Sequence, residues 1–543
     1  MPETQKPPET QKPPEVMGDG RSSSRVIKAA SVIGAATMVS RITGFVRDIF
    51  IAALLGAGPL AEIFVIAFRL PNLFRRLFAE GAFNAAFVPL FSERLEAEGL
   101  LAALEFAGRI LSVLLAFLTA FTVLSTVFMP GLVLAIAQGF SADADKFDQA
   151  VHYARIAFPY LFFISLLSLF AGVLNATGRF LAAAFAPVLL NLVLIGAALL
   201  SLMMSGAPLD YLIWGVSLAG LVQFVLVVVA ARRAGLKVPL RGPRMDIDTR
   251  RFFTLVVPGI LAAGIGQINL LIGTSIATGQ AGAAAWLYYA DRLYQLPMGV
   301  IGVALAVALL PDLTRRIARA DHAGARASQD LAVTLAMLLT LPAAFGLYVL
   351  VDPIINVLFE RGAFTPADTE ATASALRYFC LGLPAFVLVR ALQPSFFARQ
   401  DTRSPMIDGA VGVAANITLS LALFSQMGHL AIALATAVAG WLTLFLMLVR
   451  LWRRDHWRPG GAVMRALGVQ CFGALVMAAA LGQVVQNWAL LADFATLAFG
   501  ARAGVLAGLV VLGAGVFAIV CFCCGGLPDL RALRDPARLH RRP

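Results

Sequence analysis

Charged residues, cysteine and histidine are all scarce in this sequence. Asp, Glu, Lys and Arg together make up 14% of the 543 residues, whereas 59% are hydrophobic. So few charges exclude an ordinary soluble globular domain, whose surface needs many more of them. Apolar runs of about twenty residues, each long enough to cross a hydrocarbon core as a helix, recur along the whole chain. The sequence therefore predicts an all-α polytopic membrane protein.

The few cysteines and histidines form no recognisable catalytic or metal-binding pattern. All five cysteines lie in or beside apolar segments and give no extracellular disulfide framework. The five histidines are scattered, and the sequence contains no HExxH motif, nucleophile elbow, aspartate-rich metal motif or P-loop. We therefore expect a transporter and not an enzyme, with no catalytic residue, no metal site and no cofactor.

The net charge of +12 does not indicate nucleic-acid binding, because the Lys and Arg residues are spread through short loops and form no soluble basic face. They follow the positive-inside rule instead. Basic segments such as "RRAGLKVPLRGPRMDIDTRR" alternate with loops such as "GAGPLAE" and "SQMGH" that are nearly free of Lys and Arg. This asymmetry predicts an even number of spans with both termini in the cytoplasm.

Fourteen membrane spans are predicted between Gly, Pro and charged boundaries. They cover residues 31–56, 61–92, 104–136, 150–176, 182–204, 211–231, 252–278, 284–316, 329–350, 372–398, 406–425, 430–452, 463–486 and 498–524. The predicted organisation is a disordered cytoplasmic tail (1–25), an N-terminal six-helix lobe (26–235), a basic cytoplasmic linker (236–251), a C-terminal six-helix lobe (252–455), a two-helix element (460–526) and a cytoplasmic tail (527–543). The first tail contains a tandem "PETQKPP" and lacks the apolar core of a signal peptide.

Three landmarks recur at nearly one spacing along the chain. Pro71 corresponds to Pro297 at an offset of 226, Pro159 to Pro384 at 225, and Arg179 to Arg403 at 224. Such repetition indicates an internal duplication. Because six spans separate equivalent positions, the repeats share one topology: two parallel six-helix lobes, followed by two C-terminal helices. Transporters commonly hold their substrate between such halves.

The first predicted span contains charges that are costly in hydrocarbon. A charge at the centre of a membrane helix costs about 2.5 to 3.5 kcal/mol, so each must face protein, water or a partner. Arg41 and Asp48 are seven residues apart and lie on one helical face, while Arg47 lies beside them at roughly 100° per residue. A bend at Gly44 would let both arginines point into one cavity.

The second and eighth spans place further charges near prolines. Pro71 lacks a backbone donor and is expected to break the second span just before Arg75. In the eighth span, Asp291 and Arg292 lie shortly before Pro297. Arginines outnumber acids in this set. A positive surplus in a cavity suits phosphate or pyrophosphate, whose oxygens a planar guanidinium contacts at two points.

Two alternatives without a substrate stay open. In one, the acids and arginines of the first and eighth spans would form ion pairs that only fix helix packing. In the other, Arg69, Arg76 and Glu80 of the second span would extend to the cytoplasmic interface and contribute nothing to a cavity.

Several segments are long and distinctive: "SRITGFVRD", "LPNLFRRLFAEGAFNAAFVPLF", "LNATGRF", "APVLLN", "YYADRLYQLPMGVIGVALAVALLPDL" and "FFARQDTRSP". They resemble the MurJ (MviN) family of lipid II flippases in the multidrug/oligosaccharidyl-lipid/polysaccharide exporter superfamily. The resemblance covers essentially the whole chain after the N-terminal tail. It implies fourteen transmembrane helices, two lobes around a central cationic cavity, and a last helix pair that forms a groove for a lipid tail.

The resemblance also implies functions for individual residues. The substrate-binding arginines would be Arg41, Arg47, Arg75 and Arg292. The cavity acids that orient them would be Asp48, Glu62 and Asp291. Glu62 stands where the family has an aspartate, so it keeps the charge on a longer side chain. The expected hinges are Gly44, Pro71 and Pro297.

The expected function is movement of lipid II, the undecaprenyl-pyrophosphate disaccharide pentapeptide, from the inner to the outer leaflet of a bacterial cytoplasmic membrane for peptidoglycan assembly. Membrane potential or an ion gradient is the expected drive. The seventh span contains no acid, which disfavours a simple cation site there. The expected partners are lipid II and membrane lipids, with no nucleic acid, and the chain is expected to act as a monomer.

Other functions stay open. A drug/cation antiporter of the same superfamily would need a net acidic cavity. A flippase for another polyprenyl-pyrophosphate-linked saccharide would look much the same in sequence. A membrane-embedded glycosyltransferase would need a catalytic acid or metal site on a sizeable outer loop, and the outer loops are short.

Overall fold

The computed structural model describes residues 20–78, 82–204, 206–243, 245–487, 494 and 497–527. Within them, regular structure is entirely helical and no strand is present. Glu80 and the tails before residue 20 and after residue 527 lie outside the described residues. The first helix begins at Gly20, inside the segment that the sequence predicts as a disordered tail.

Eighteen α-helices and one 3₁₀ helix (Gln138–Ala142) are assigned within the described residues. In the first half of the chain they are α1 (Gly20–Leu55), α2 (Pro59–Phe78), α3 (Ala82–Ala97), α4 (Leu100–Val127), α5 (Met129–Ile136), α6 (Ala144–Ala157), α7 (Pro159–Ala176), α8 (Leu181–Met203) and α9 (Pro208–Arg233). In the second half they are α10 (Ile247–Ala277), α11 (Ala283–Ala318), α12 (His322–Val349), α13 (Val351–Leu358), α14 (Pro366–Phe397), α15 (Arg403–Met427), α16 (His429–Arg453), α17 (Gly461–Asn487) and α18 (Phe499–Cys524).

Several helix starts follow directly from local sequence. Prolines stand in the first turns of α7 and α9, where a missing N–H leaves no helical hydrogen bond unmade. Asp246 caps α10, since its Oδ1 accepts a hydrogen bond from the Thr249 N–H at 2.8 Å. Thr365 and Asp368 cap α14 reciprocally through each other's backbone N–H groups.

Ten helical stretches are long and apolar enough to cross a membrane. They are α4, α6 with α7, α8, α9, α12, α14, α15, α16, α17 and α18. The prediction of a helical multi-pass membrane fold is therefore confirmed. The four other predicted spans correspond to α1, α2 with α3, α10 and α11, so the count of fourteen stays a prediction.

The effect of one proline differs from the sequence prediction. The helix α2 continues through Pro71 to Phe78, so the expected break before Arg75 is wrong. The helix α11 likewise runs without interruption through Pro297. Both prolines are accommodated inside a helix, which a kink or a neighbouring group makes possible. Their function as hinges stays a prediction.

The helix bounds repeat along the chain. The helices α4 and α5 have the same bounds as α12 and α13, displaced by 222 residues: Leu100 corresponds to His322, Val127 to Val349, Met129 to Val351 and Ile136 to Leu358. The helix α8 begins at Leu181 and its counterpart α15 at Arg403. These equivalent bounds agree with the duplication inferred from the sequence landmarks.

The helices pack into two groups, the two lobes of the fold, which share one hydrophobic core. In the first, α8 packs against α1 and α9, and α9 packs against α7. In the second, α14 packs against α11, α12 and α16, and α15 against α16. The last two helices, α17 and α18, pack on each other and on α12 through a cluster that includes Met337, Met477 and Phe517. Whether this pair forms a lipid-tail groove stays a prediction.

The segment that joins the two groups lies on α4. Gly108 is needed there, because a Cβ at this position would overlap the carbonyl oxygen of Pro239. Arg109 Nη1 lies 2.6 Å from Asp246 Oδ2, and the bonds from Thr249 and Arg109 lower the pKa of Asp246 to about 2 in spite of its partial burial. The linker is therefore fastened to the first group where the second begins.

Candidate functional site

The predicted charges of α1 are buried together. Arg47 and Asp48 have only 6% and 2% of their surface exposed. Arg47 Nη2 lies 2.7 Å from Asp48 Oδ1, and Arg47 Nε donates to the same oxygen at 3.0 Å. A buried ion pair of this kind is tolerated in a membrane fold only when further hydrogen bonds complete it.

Asn191 of α8 completes the coordination of Arg47. Its Oδ1 accepts a hydrogen bond from Arg47 Nη1 at 2.9 Å, and its Nδ2 donates to the carbonyl of Ser40 at 2.9 Å. Gly44 makes room for this amide, since a Cβ there would lie 3.3 Å from Asn191 Nδ2. The helix α1 continues through Gly44, which therefore serves here as a seat for Asn191. A hinge function for Gly44 stays a prediction.

The second lobe reaches the same carboxylate through α11. Tyr288 and Arg292, one turn apart, both contact Asp48. The Tyr288 hydroxyl lies 3.1 Å from Asp48 Oδ1, and Arg292 Nε lies 3.3 Å from Asp48 Oδ2. Arg292 also donates to the Tyr288 hydroxyl at 3.2 Å. One carboxylate thus lies between two arginines from different lobes, and this trio keeps a net charge of +1.

Arg41 also crosses to the second lobe. Its guanidinium lies against Gly299 of α11, where a Cβ would overlap Arg41 Nη1. The neighbouring carbonyl of Met298 is 3.5 Å from Arg390 Nη1 of α14. Within the described part of the chain, neither Arg41 nor Arg390 forms an ion pair with a carboxylate. The junction of α1 and α11 therefore holds more positive than negative charge.

The helix α2 carries further arginines, among them Arg69 and Arg75. Arg75 Nε donates to Asn72 Oδ1 at 3.1 Å, and Asn72 donates to the carbonyl of Phe68 at 2.9 Å. Arg69 donates to the buried Thr274 hydroxyl of α10. Arg69 therefore points into the contact between two lobes, and its predicted extension to the membrane interface is wrong.

The acids predicted to orient the arginines are divided between two places. Asp48 is shared by Arg47 and Arg292, whereas Asp291 is bonded to Gln295 on its own helix. Glu62 is fully buried elsewhere: its Oε2 lies 2.5 Å from Lys146 Nζ, and its Oε1 lies 3.4 Å from the backbone nitrogen of Ala284 at the start of α11.

The lobes also meet where α1 ends. The Ala363 N–H donates to the carbonyl of Ala53 at 2.8 Å, and the Tyr289 hydroxyl donates to the carbonyl of Gly56 at 3.0 Å. Gly56 has φ +63° and lies so close to Ala363 that a Cβ would overlap its carbonyl oxygen. By the predicted topology this contact lies at the outer face of the membrane.

Sequence reasoning missed the residues that complete these pairs. Asn191 and Tyr288 both lie inside quoted family-like segments, "APVLLN" and "YYADRLYQLPMGVIGVALAVALLPDL", but carry no charge to draw attention. Lys146 lies in a predicted outer loop, where lysine is rare by the positive-inside rule. That rarity was the available signal. Over the described residues, no group of three His, Cys, Asp or Glu side chains is arranged to hold a metal ion.

The sequence is similar to known proteins over most of its length. A family model described as "Lipid II flippase MurJ" matches residues 51–499. A probable lipid II flippase MurJ of Rhizobium tropici is 44% identical over 521 residues, which cover 95% of this chain and 97% of that relative.

Two solved structures show the same fold. One is a lipid II flippase MurJ in an inward closed conformation, with a TM-score of 0.75 and 23% identity, covering 90% of this chain and 97% of that chain. The other is an inward-facing multidrug resistance MATE transporter of the MOP superfamily, with a TM-score of 0.64 and 15% identity, covering 78% of this chain and 98% of that chain. The family match spans most of the sequence and the Rhizobium relative is similar almost from end to end: the chain belongs to the lipid II flippase MurJ family.

Proposed function

We propose that the protein carries lipid II from the inner to the outer leaflet of the cytoplasmic membrane by alternating access of its two lobes. It is a transporter and not an enzyme, and its function belongs to peptidoglycan biosynthesis. The single observation that carries the proposal is the junction of α1 and α11. There, arginines from both lobes share Asp48 and leave a surplus of positive charge inside a membrane fold.

The pyrophosphate of lipid II is the group that this surplus fits. Arg292 keeps 34% of its side chain exposed in spite of its bond to Asp48, so a ligand can reach it. Arg41 contacts Gly299, about two turns further along α11, and has no carboxylate partner among the described residues. Together with Arg47 and Arg75, these guanidiniums would contact phosphate oxygens in two-point fashion. A cationic drug or a metal cation would be repelled by the same charges.

The conformation suits loading from the inner leaflet. The lobes are joined at the ends near Gly56 and Ala363, which the predicted topology assigns to the outer face. Glu62 and Lys146 add a buried contact with the start of α11 at the same end. With both termini in the cytoplasm, the junction of α1 and α11 would open inward in this state and outward after the outer ends separate.

Membrane potential is the drive that we propose. An inside-negative potential favours outward movement of the pyrophosphate anion and inward return of the empty cationic site. Each charge contributes about 2.3 kcal/mol per 100 mV of field that it crosses. Both lobes belong to one chain and together form the complete junction, so a monomer embedded in membrane lipids would suffice for transport.

The decisive test follows lipid II in cells depleted of their own flippase and supplied with this protein. Wild-type protein should restore access of an external probe to lipid II, and Arg292→Ala should lower the rate of exposure at least about tenfold, because it removes a charge-assisted contact. The matched control is Arg315→Ala on the same helix, where the side chain is 71% exposed and 4.0 Å from Asp312. It should support wild-type exposure at equal membrane abundance.

Two outcomes would contradict the proposal. If lipid II becomes exposed normally in depleted cells that lack any complementing flippase, the protein does not perform this step. If Arg292→Ala and Arg315→Ala behave alike, the arginines of the junction do not bind the substrate.

A further inference from the structure

A second concentration of positive charge lies far from the α1–α11 junction in sequence and in its contacts. It surrounds a cavity of about 630 Å³ where α14 ends, α15 begins and α16 ends. Four arginines line it: Arg399, Arg403, Arg450 and Arg454. The pocket shares none of the residues described at the junction. The transported substrate therefore does not account for it.

The carboxylates at this pocket neutralise only half of the charge. Arg454 is bonded to Asp401, and Arg450 Nε lies 2.8 Å from the fully buried Asp408. Arg399 donates to backbone carbonyls, at 2.7 Å to Ser395 and at 3.5 Å to His456. In the described structure neither Arg399 nor Arg403 pairs with a carboxylate. Four arginines and two aspartates leave a charge of +2.

The charge of +2 at this pocket holds at neutral pH, because Asp401 is ionised and His456 is neutral there. Asp401 accepts hydrogen bonds from Ser404 and Arg454, which lower its pKa to about 2, so it stays ionised and paired. Burial and the nearby Arg399 and Arg454 lower the pKa of His456, which is therefore neutral. The buried Nδ1 of His456 has no hydrogen-bond partner among the described residues, although His456 lines the cavity.

An apolar surface continues from the pocket along α15. Ile407 lines the cavity itself, and Met406, Ala410 and Ala414 lie on the exposed side of α15 at intervals of four residues. We call this exposed side of α15, formed by Met406, Ala410 and Ala414, the apolar track. On the neighbouring helix end, Trp452 is 62% exposed, a position typical of tryptophan at a membrane interface.

We propose that this pocket binds the phosphate of an anionic phospholipid from the leaflet on this face of the membrane, with an acyl chain along the exposed side of α15. Basic pockets between transmembrane helices recognise lipid headgroups in this way. Arg403 and Arg399 would bind the phosphate oxygens, and the apolar track distinguishes a lipid from a soluble anion. The inference goes beyond lipid II transport and does not depend on it.

The first lobe provides an internal control. Arg179 is the counterpart of Arg403 in the sequence repeat, and it lies in the loop between α7 and α8. In that repeat, Asn175 and Thr177 take the places of Arg399 and Asp401. At the three positions equivalent to Arg399, Asp401 and Arg403, the first lobe has one arginine and no acid. Arg179 should therefore contribute little to lipid selection.

The test measures lipid binding to the full-length purified protein in neutral detergent by native mass spectrometry. Phosphatidylglycerol and phosphatidylcholine with identical acyl chains are the two probes. Wild type should bind phosphatidylglycerol about tenfold more tightly, because the choline group opposes the arginines. Arg403→Gln should remove most of this preference, and Arg403→Lys should keep part of it. Arg179→Gln should bind both lipids as wild type does. Arg403 is exposed, and its substitution removes no ion pair or side-chain hydrogen bond among the described residues.

Three outcomes would overturn the proposal. One is equal binding of the two lipids by wild type. Another is an unchanged preference in both Arg403→Gln and an Arg399→Gln variant that retains its helical circular dichroism. The third is that millimolar inorganic phosphate raises the thermal midpoint as much as phosphatidylglycerol does, since the pocket would then accept a free phosphate and not a lipid.

Discussion

At the scale of single residues, Asp48 is the side chain on which most of the junction depends. It is 2% exposed, accepts hydrogen bonds from Arg47 and Tyr288, and forms an ion pair with Arg292; these partners come from two helices and two lobes. Removing one partner of a buried ion pair is costly, because the remaining charge has neither water nor a counter-ion. Removal of the Asp48 charge leaves two such charges, those of Arg47 and Arg292.

We therefore expect Asp48→Asn to lower the free energy of unfolding by about 3 kcal/mol or more. Asparagine keeps the size of the side chain and one acceptor oxygen, so the loss reports the charge. Unfolding in mixed detergent, followed by circular dichroism, measures it. Glu98→Gln is the control: its 3.4 Å pair with Arg94 is at the surface, and its loss should cost less than about 1 kcal/mol. Equal effects of the two substitutions would contradict the central position of Asp48.

Much of the junction could be predicted at this scale, and the reason is energetic. Charges in an apolar helix are rare enough that Arg41, Arg47 and Asp48 could be singled out from one sequence. Their partners could not, because Asn191 and Tyr288 are brought to α1 by packing between helices far apart in sequence. For Glu62, the charge itself could be singled out but its partner could not, because the ion pair with Lys146 depends on how α2 and α6 meet.

At the scale of elements, the linker and the start of α10 form a charged fastening. Asp246 accepts hydrogen bonds from the Thr249 N–H and from Arg109 on α4, and these lower its pKa to about 2. A carboxylate with a depressed folded pKa contributes stability at pH values above its unfolded pKa. That stability is lost as the pH falls through the folded pKa.

Asp246→Asn should therefore lower the thermal midpoint at neutral pH, and its difference from wild type should disappear between about pH 4 and pH 2. Asparagine remains a good N-cap, so the difference isolates the ionic contribution. Differential scanning fluorimetry of the purified protein across this range measures it. Glu93→Gln, which removes an exposed pair with Arg251, should shift the midpoint little at any pH. A constant gap between Asp246→Asn and wild type down to pH 2 would contradict this account.

The helix pattern itself was largely readable, because long apolar runs and first-turn prolines mark where helices lie. The breaks were not. Pro71 and Pro297 are accommodated inside α2 and α11, whereas Pro130, in the first turn of α5, follows a real separation of α4 and α5 at Phe128. Neighbouring helices decide such points, and a single sequence does not contain them.

At the scale of the whole molecule, the backbones of the two lobes touch directly near the end of α1. Gly56 and Gly362 both have positive φ angles, and a Cβ on either would overlap a carbonyl oxygen of the facing segment. This mutual approach lets the Ala363 N–H bond to the Ala53 carbonyl. A side chain at Gly56 would both strain the turn and separate the lobes.

Gly56→Ala should therefore shift the protein toward the state in which these ends are apart. Cysteines placed at Ala53 and Ala363, in a chain whose five native cysteines are replaced by serine, would report the separation through the yield of a short bifunctional cross-linker. The yield should fall several-fold in Gly56→Ala. Gly58→Ala is the matched control, because nothing lies within 4 Å of a Cβ there. An unchanged yield in Gly56→Ala would show that this contact does not hold the ends together.

The position of α1 between two anchors also decides where an opening motion must begin. Asn191 fastens α1 to its own lobe through hydrogen bonds to Arg47 and Ser40, whereas Asp48 fastens it to the other. Rotation of one lobe against the other would strain both contacts. The ion pair between Arg292 and Asp48, at 3.3 Å, is longer and more exposed than the 2.9 Å hydrogen bond between Arg47 and Asn191. This ion pair would break first and leave the guanidinium of Arg292 without its counter-ion. A diphosphate arriving at that moment would replace the lost counter-ion, so a loaded carrier would turn more readily than an empty one.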